Sequence, residues 1–349
     1  MMRNFYDLTL NELEDFLVKQ GKQRFRAEQI FKWVYQKGVT DFKAMSNLAK
    51  DFCDEMSKLI EFRLPVVTEQ LDSIDGTRKF LMEVEGGKNI EAVLIPNAER
   101  LTLCVSSEVG CAMGCRFCFT SKMGLMRRLN AAEIVGQFLN AAASLKDGRR
   151  ITNIVFMGMG EPLDNVDNVT RAIEIIHNQM GIGFARRKIT VSTSGLAPLI
   201  KNVADAGVRL AISLNATTND IRDKVMPINR KYPLEVLLQA CKDYVAQTGE
   251  MITFEYVLLK GVNDSVDDAH RIAKLTRGIP SKINLIPFNE HPDSGFTRPT
   301  SHSVHDFQKV LMDLGKHVLI RKTMGRDIFA ACGQLRSEME KHPQKMALH

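Results

Sequence analysis

LTLCVSSEVGCAMGCRFCF, residues 101–119, is the stretch that decides the fold. An apolar run ends in small and polar residues and opens at once into Cys111, Cys115 and Cys118, spaced C-x3-C-x2-C. A strand that delivers its chemistry from its carboxyl end is the building unit of parallel α/β folds. The unit then recurs. NIVFMGMG, RKITVSTSG, VRLAISLNA, MITFEYVLLKGV and KINLIPFNEH read as further strands, with HVLIRKTMG as a possible seventh. Helical periodicity fills the intervals near 131–146, 165–179, 196–206, 233–247, 265–277 and 303–315. Six βα units in series demand a parallel sheet with helices outside it, either a partial or closed barrel or a doubly wound sheet. Both place the site at the strand ends, where this sequence has Gly158, Gly160, Glu161, Ser192, Ser194, Ser213, Asn215 and Asn289.

Upstream the periodicity changes. RKFLMEVEGG and KNIEAVLIP alternate with period two around Gly86-Gly87 and predict a β-hairpin bridge over 63–100. Residues 1–62 read as a helical module. Thr9 and Glu12 have capping-box spacing ahead of Leu13, Phe16 and Leu17; Ala27, Ile30, Phe31 and Val34 mark a second helix, and Leu48, Phe52 and Met56 a third. The barrel core is expected over 101–336, and 337–349 reads as a frayed tail.

Composition narrows the class. Hydrophobic residues make up 44% of 349 and charged ones 25%, which excludes a disordered or collagen-like chain. No apolar run is long enough to span a bilayer, and the first residues carry early acids without the apolar core of a secretory signal. An odd count of seven cysteines, three of them within eight residues, is no disulfide framework; metal or redox chemistry in a reducing cytoplasm is expected. Three thiolates on one loop hold three irons of a cubane and leave the fourth iron open, whereas purely electron-carrying clusters use four cysteines. A zinc knuckle would need a second C-x2-C pair or spaced histidines, and the eight histidines are scattered. The net charge of +6 is mild, but Lys19, Lys22, Arg24 and Arg26, Arg127 and Arg128, Arg149 and Arg150, and Arg186, Arg187 and Lys188 form short basic clusters suited to phosphates.

With the cluster followed by the GMGEP strand end, the sequence resembles the radical S-adenosylmethionine (SAM) enzymes. IEAVLIP, LCVSSEVGCAMGCRFC, FMGMGEPL, ITVSTSG, PINRKYP, FEYVLLKGVND, NLIPFN and AACGQL are similar to one branch, the RNA adenosine methyltransferases of the RlmN and Cfr type, over residues 5–336. The resemblance implies one 4Fe-4S cluster on Cys111, Cys115 and Cys118, and SAM, two per turnover, bound by Gly160, Glu161, Ser192, Ser213, Leu214, Asn215 and Asn289. It implies that Cys332 carries a methyl group, that Cys104 attacks Cys332 to form a transient disulfide, and that Glu91 accepts a proton. Burial among Ile90, Ala92 and Val93 would suit Glu91 to that task. The family commonly has a histidine after Ser-Leu in the fourth strand, whereas this chain reads ISLNA, which leaves the Asn215 contact open. The implied partners are 23S rRNA and tRNA, methylated at adenosine C2, with flavodoxin or ferredoxin as electron donor and a monomeric enzyme. The rivals are C8 methylation, as in the resistance branch of the family, and a non-catalytic iron-sulfur RNA-binding protein.

Overall fold

The computed structural model describes residues 2–146, 148–291 and 294–335; the expected tail lies outside them. A single ten-stranded sheet organises the chain. β1 (Val66–Asp72), β2 (Arg78–Val84) and β3 (Lys88–Asn97) form an antiparallel meander, and β3 pairs antiparallel with β4 (Arg100–Cys104). From β4 onward all pairing is parallel, through β5 (Asn153–Phe156), β6 (Ile189–Thr193), β7 (Arg209–Ser213), β8 (Ile252–Leu258), β9 (Ser281–Pro287) and β10 (His317–Ile320). The anticipated seventh strand is β10.

Spatial order equals chain order across the whole sheet. That settles the choice left open by the sequence. Right-handed crossovers that always step the same way keep every helix on one face, whereas a doubly wound sheet reverses direction at a switch point. β10 and β1 are edge strands that do not pair with each other, so the barrel is partial. Leu103, Ile154, Leu210, Ile212, Phe254, Tyr256 and Leu285 are fully buried in the core. Alternate positions such as Cys104, Ser192, Ser213 and Glu255 fall on the other face, the concave one.

The bridge differs from expectation in two ways. Gly86 and Gly87, at φ 80° and 66°, make the tight left-handed hairpin turn that was predicted. A third strand, β1, precedes them, and the meander continues the barrel sheet without a break. β1 escaped notice because its residues are mostly exposed, Val66 at 63%, so it lacks the alternation of a half-buried strand.

The N-terminal helices α1 (Leu10–Lys19), α2 (Arg26–Phe31) and α3 (Lys50–Leu59) enclose a core of their own around Phe5, Leu13, Leu17, Ile30, Phe31, Phe42 and Met56. Thr9 and Glu12 cap α1 reciprocally, as their spacing implies. The module meets the barrel at α4 (Ala131–Ala143): the Ala132 N–H donates to Asp7 Oδ1 at 2.8 Å, and the Ala132 side chain is buried in the module's core.

Candidate active site

The cysteine loop is closed by a small antiparallel ribbon, Glu108–Gly110 against Leu125–Arg128. Gly110, at φ 79°, lies so close to the other side that a Cβ would stand 1.8 Å from the Gly124 carbonyl oxygen. Only glycine lets the ribbon shut there. Inside it, Cys111 and Cys115 are buried and Cys118 is half-buried, all three as free thiols. Burial pushes the Cys111 thiol up to about 12 and Cys115 well above its ordinary value, and Cys118 adds to both shifts. Buried thiols such as Cys111 and Cys115 give up their protons readily only beside a cationic group. Among the described residues no three His, Cys, Asp or Glu side chains converge on a single metal ion. A cubane asks for less convergence, one thiolate on each of three irons, and this loop fits it.

The GMGEP turn packs directly on the strand that feeds the loop. A Cβ on Gly158 would meet the Val105 backbone and Ser106 Oγ at 2.7 Å, and one on Gly160 would meet Glu108 Cβ at 2.6 Å. The Met159 N–H donates to Ser106 Oγ at 2.8 Å, and the Glu161 N–H to Glu108 Oε2 at 2.8 Å. The Glu161 carboxylate accepts from the Ser194 N–H at 2.7 Å and the Leu163 N–H at 3.1 Å, which ties the end of β6 to this turn. Ser192 and Ser213 stand at the ends of β6 and β7. Asn215 stands where the sequence departs from the expected histidine. Its φ of 53° is left-handed, which asparagine tolerates, and its Oδ1 accepts the Val257 N–H at 2.8 Å, so the side chain braces a corner between β7 and β8. Asn289 donates through Nδ2 to the Cys332 carbonyl at 3.2 Å.

Cys332 rides on a C-terminal strap pinned from several sides. The Phe119 N–H donates to the Gly333 carbonyl at 2.8 Å, Thr120 Oγ1 to the Leu335 carbonyl at 2.7 Å, and the Gly325 N–H to Asp75 Oδ2 at 2.7 Å. The residue is exposed to solvent, yet the surrounding protein pushes its thiol up. Arg321 opposes that shift, whereas Glu255 and Cys118 add to it. Burial also raises the Cys104 thiol, and Cys332 is the next cause. The Cys104 thiol thus feels that of Cys332, and the strap bearing Cys332 is hydrogen-bonded to Phe119, the residue after Cys118.

Glu91 shares their face: Val93 pairs with Cys104 across β3 and β4, and Glu91 lies two residues from Val93. It is buried, as expected, and Lys79 Nζ sits 2.9 Å from its Oε1. Lys79 also donates to the Phe329 carbonyl on the strap at 3.5 Å. Lys79, Arg321 and Glu255 were missed by sequence reasoning. Their only signal is strand register, legible once the pairing is known. Several of the expected phosphate-binding cations are already engaged: Lys22 with Glu55, Arg24 with Glu14 and Asp15, Arg127 with Glu133, and Arg128 with Asp164.

A singly wound partial barrel, three cysteines on the loop after its first parallel strand and a glycine-rich turn at the next strand end define a radical SAM enzyme. Residues 105–273 match the Radical SAM superfamily, and residues 3–62 match the ribosomal RNA large subunit methyltransferase N-terminal domain. The chain belongs to the RlmN family of SAM-dependent RNA methyltransferases. It is 53% identical to the dual-specificity RNA methyltransferase RlmN of Bdellovibrio bacteriovorus, covering 98% of this chain and 86% of that one. Identity to the Geotalea uraniireducens protein of the same name is 49%, over 97% of each chain. A crystal structure of a radical SAM methyltransferase from Sphaerobacter thermophilus superimposes with a TM-score of 0.91 at 44% identity, covering 97% of this chain and 100% of that one. Family membership brings SAM and a 4Fe-4S cluster as cofactors and RNA as substrate.

Proposed function

We propose that the chain methylates C2 of adenosine, at position 2503 of 23S rRNA and position 37 of certain tRNAs, using two SAM molecules per turnover. The dual specificity named for its relatives supports two classes of RNA. Adenine C2 is electron-poor and has no lone pair to attack the methyl of SAM, so the carbon must arrive by a radical route from a carrier. When bound, the cluster supplies the electron that releases a 5'-deoxyadenosyl radical from SAM.

The remaining work falls to residues of the chain. Cys332 takes a methyl group onto sulfur from one SAM and presents it at the barrel mouth. After that methyl has lost a hydrogen atom to the radical, its carbon bonds to C2; the adduct gives up one electron, which would return by way of the cluster to the external one-electron carrier that reduced it, and Glu91 takes the ring proton. Cys104 thiolate then attacks the Cys332 sulfur. The S–S bond forms as the carbon–sulfur bond breaks, the carbon keeps the electron pair and gains a proton, and a reductant must reopen the disulfide before the next turnover. The expected 1–62, 63–100 and 101–336 divisions, with RNA held by the helical module, belong to the same reading.

The observation that carries it is the Phe119–Gly333 backbone hydrogen bond, which holds the Cys332 strap against the cluster loop, with Cys104 in the field of Cys332, since the carrier must face the resolving thiol and the cluster side in turn. The test is Cys104→Ala in the reconstituted enzyme with SAM, reductant and RNA. RNA trapped covalently on Cys332 is expected; free methylated RNA at native yield would overturn the cysteine roles. Mass spectrometry of RNA methylated by the native enzyme tests the position, and exclusive 8-methyladenosine would overturn C2.

A further inference from the structure

Among the described residues, Arg222 is the largest side chain to be completely buried. It belongs to α7 (Asn219–Val225), counting α5 (Val166–His177) and α6 (Ile200–Asp205) before it. Its guanidinium spends its donors on backbone. Nη2 donates to the Ser194 carbonyl at 2.6 Å and the Ser213 carbonyl at 3.1 Å, and Nε to the Leu214 carbonyl at 3.0 Å. Nη1 donates to Asn229 Oδ1 at 3.1 Å. Asn229 lies in PINRKYP and is itself fixed, with Nδ2 donating to Asp223 Oδ1 at 2.6 Å and Asn219 Oδ1 at 3.1 Å. Gly195 makes the room: a Cβ there would approach Arg222 Nη2 to 3.0 Å. The helix that carries Arg222 touches the cluster loop directly: the Arg116 N–H donates to the Val225 carbonyl at 3.0 Å, and Cys115 packs with Val225 and Met226.

We propose that Arg222 is a positioning residue of the SAM site. One buried fork, aimed by Asn229, fixes the ends of β6 and β7 relative to each other and to the Cys115 side of the cluster loop. A cation held by carbonyls is costly to bury, and a fork with donors at fixed angles spans two strand ends where an ammonium cannot. The inference rests on the SAM-site reading proposed above and adds what holds that site's two strands in register. It also gives PINRKYP a task, that of orienting the fork.

The test uses the anaerobically reconstituted holoenzyme as native protein, Arg222→Lys and Asn229→Ala, with iron and sulfide content, melting temperature, SAM binding and the electron paramagnetic resonance spectrum of the reduced cluster measured for each. Native iron content with SAM affinity roughly tenfold weaker in Arg222→Lys, the scale of one charged hydrogen bond, is expected, with an altered spectral response to SAM. If Arg222→Lys does not fold, the weaker SAM affinity is expected of Asn229→Ala, and native affinity there overturns the proposal. Native affinity in Arg222→Lys does the same. Joint loss of iron, melting temperature and SAM binding in both variants marks the pair as scaffold only and overturns it too. A native enzyme whose cluster spectrum ignores SAM would instead sink the site reading itself.

Discussion

A carboxyl that keeps its proton lies under the GMGEP turn. Glu108 is fully buried, and burial, with Asp164 and Glu161 as negative neighbours, pushes it up to about 8. Its Oε2 accepts the Glu161 N–H at 2.8 Å, and its Oε1 is buried without a hydrogen-bond partner. Unfolded, the group ionises near its usual 4.5, so between that value and about 8 the folded chain holds one proton more than the unfolded chain. Stability therefore falls as pH rises through that window. Melting temperatures of native protein and Glu108→Gln, followed over the same range, are expected to diverge in slope, the variant losing less; parallel profiles would refute the retained proton on Glu108. Single residues such as Glu108, Lys79 and Arg222 were not legible in the sequence. Their significance lies in partners distant along the chain, Lys79 against Phe329 or Arg222 against Ser194, and no local spacing records such contacts. The cysteines were legible because iron chemistry imposes a short local spacing.

Elements were read more fully than residues. The strands at β4 to β10 were all anticipated, since each couples an apolar run to a polar end, and only the boundaries moved. β1 was missed for want of an apolar face. The ribbon around the cysteines was also missed, because its existence depends on one close approach at Gly110. Gly110→Ala tests that approach. The left-handed backbone costs alanine about 1–3 kcal/mol, and the added methyl overlaps a carbonyl besides. Iron and sulfide per chain are expected to drop, while Gly86→Ala, at φ 80° with nothing within 4 Å of its Cβ, keeps full occupancy. Equal iron in both variants would show that ribbon closure does not govern cluster retention.

At the scale of the molecule, the helical module and the barrel share few but specific contacts. Asp7 accepts the Ala132 N–H at the start of α4, Glu12 pairs with Arg171 at 2.9 Å, and Gln36 Nε2 donates to the Met180 carbonyl at 3.2 Å. Asp7→Ala removes one helix-end partner and is expected to cost about 1 kcal/mol. The loss should appear as faster hydrogen exchange in α1 to α3 and at the start of α4; unchanged exchange would mean that the module docks without it. The winding direction followed from the sequence only as an alternative, since local patterns do not encode strand order. The strap on which Cys332 rides has one further consequence, for the order of events during synthesis. Its anchors, Asp75, Phe119 and Thr120, are all translated long before it, and every strand of the barrel precedes Cys332. A growing chain can therefore complete the sheet and the cysteine loop while still lacking the sulfur proposed to carry the methyl group, so a chain cut short before Cys332 would keep the cluster loop and have no methyl carrier.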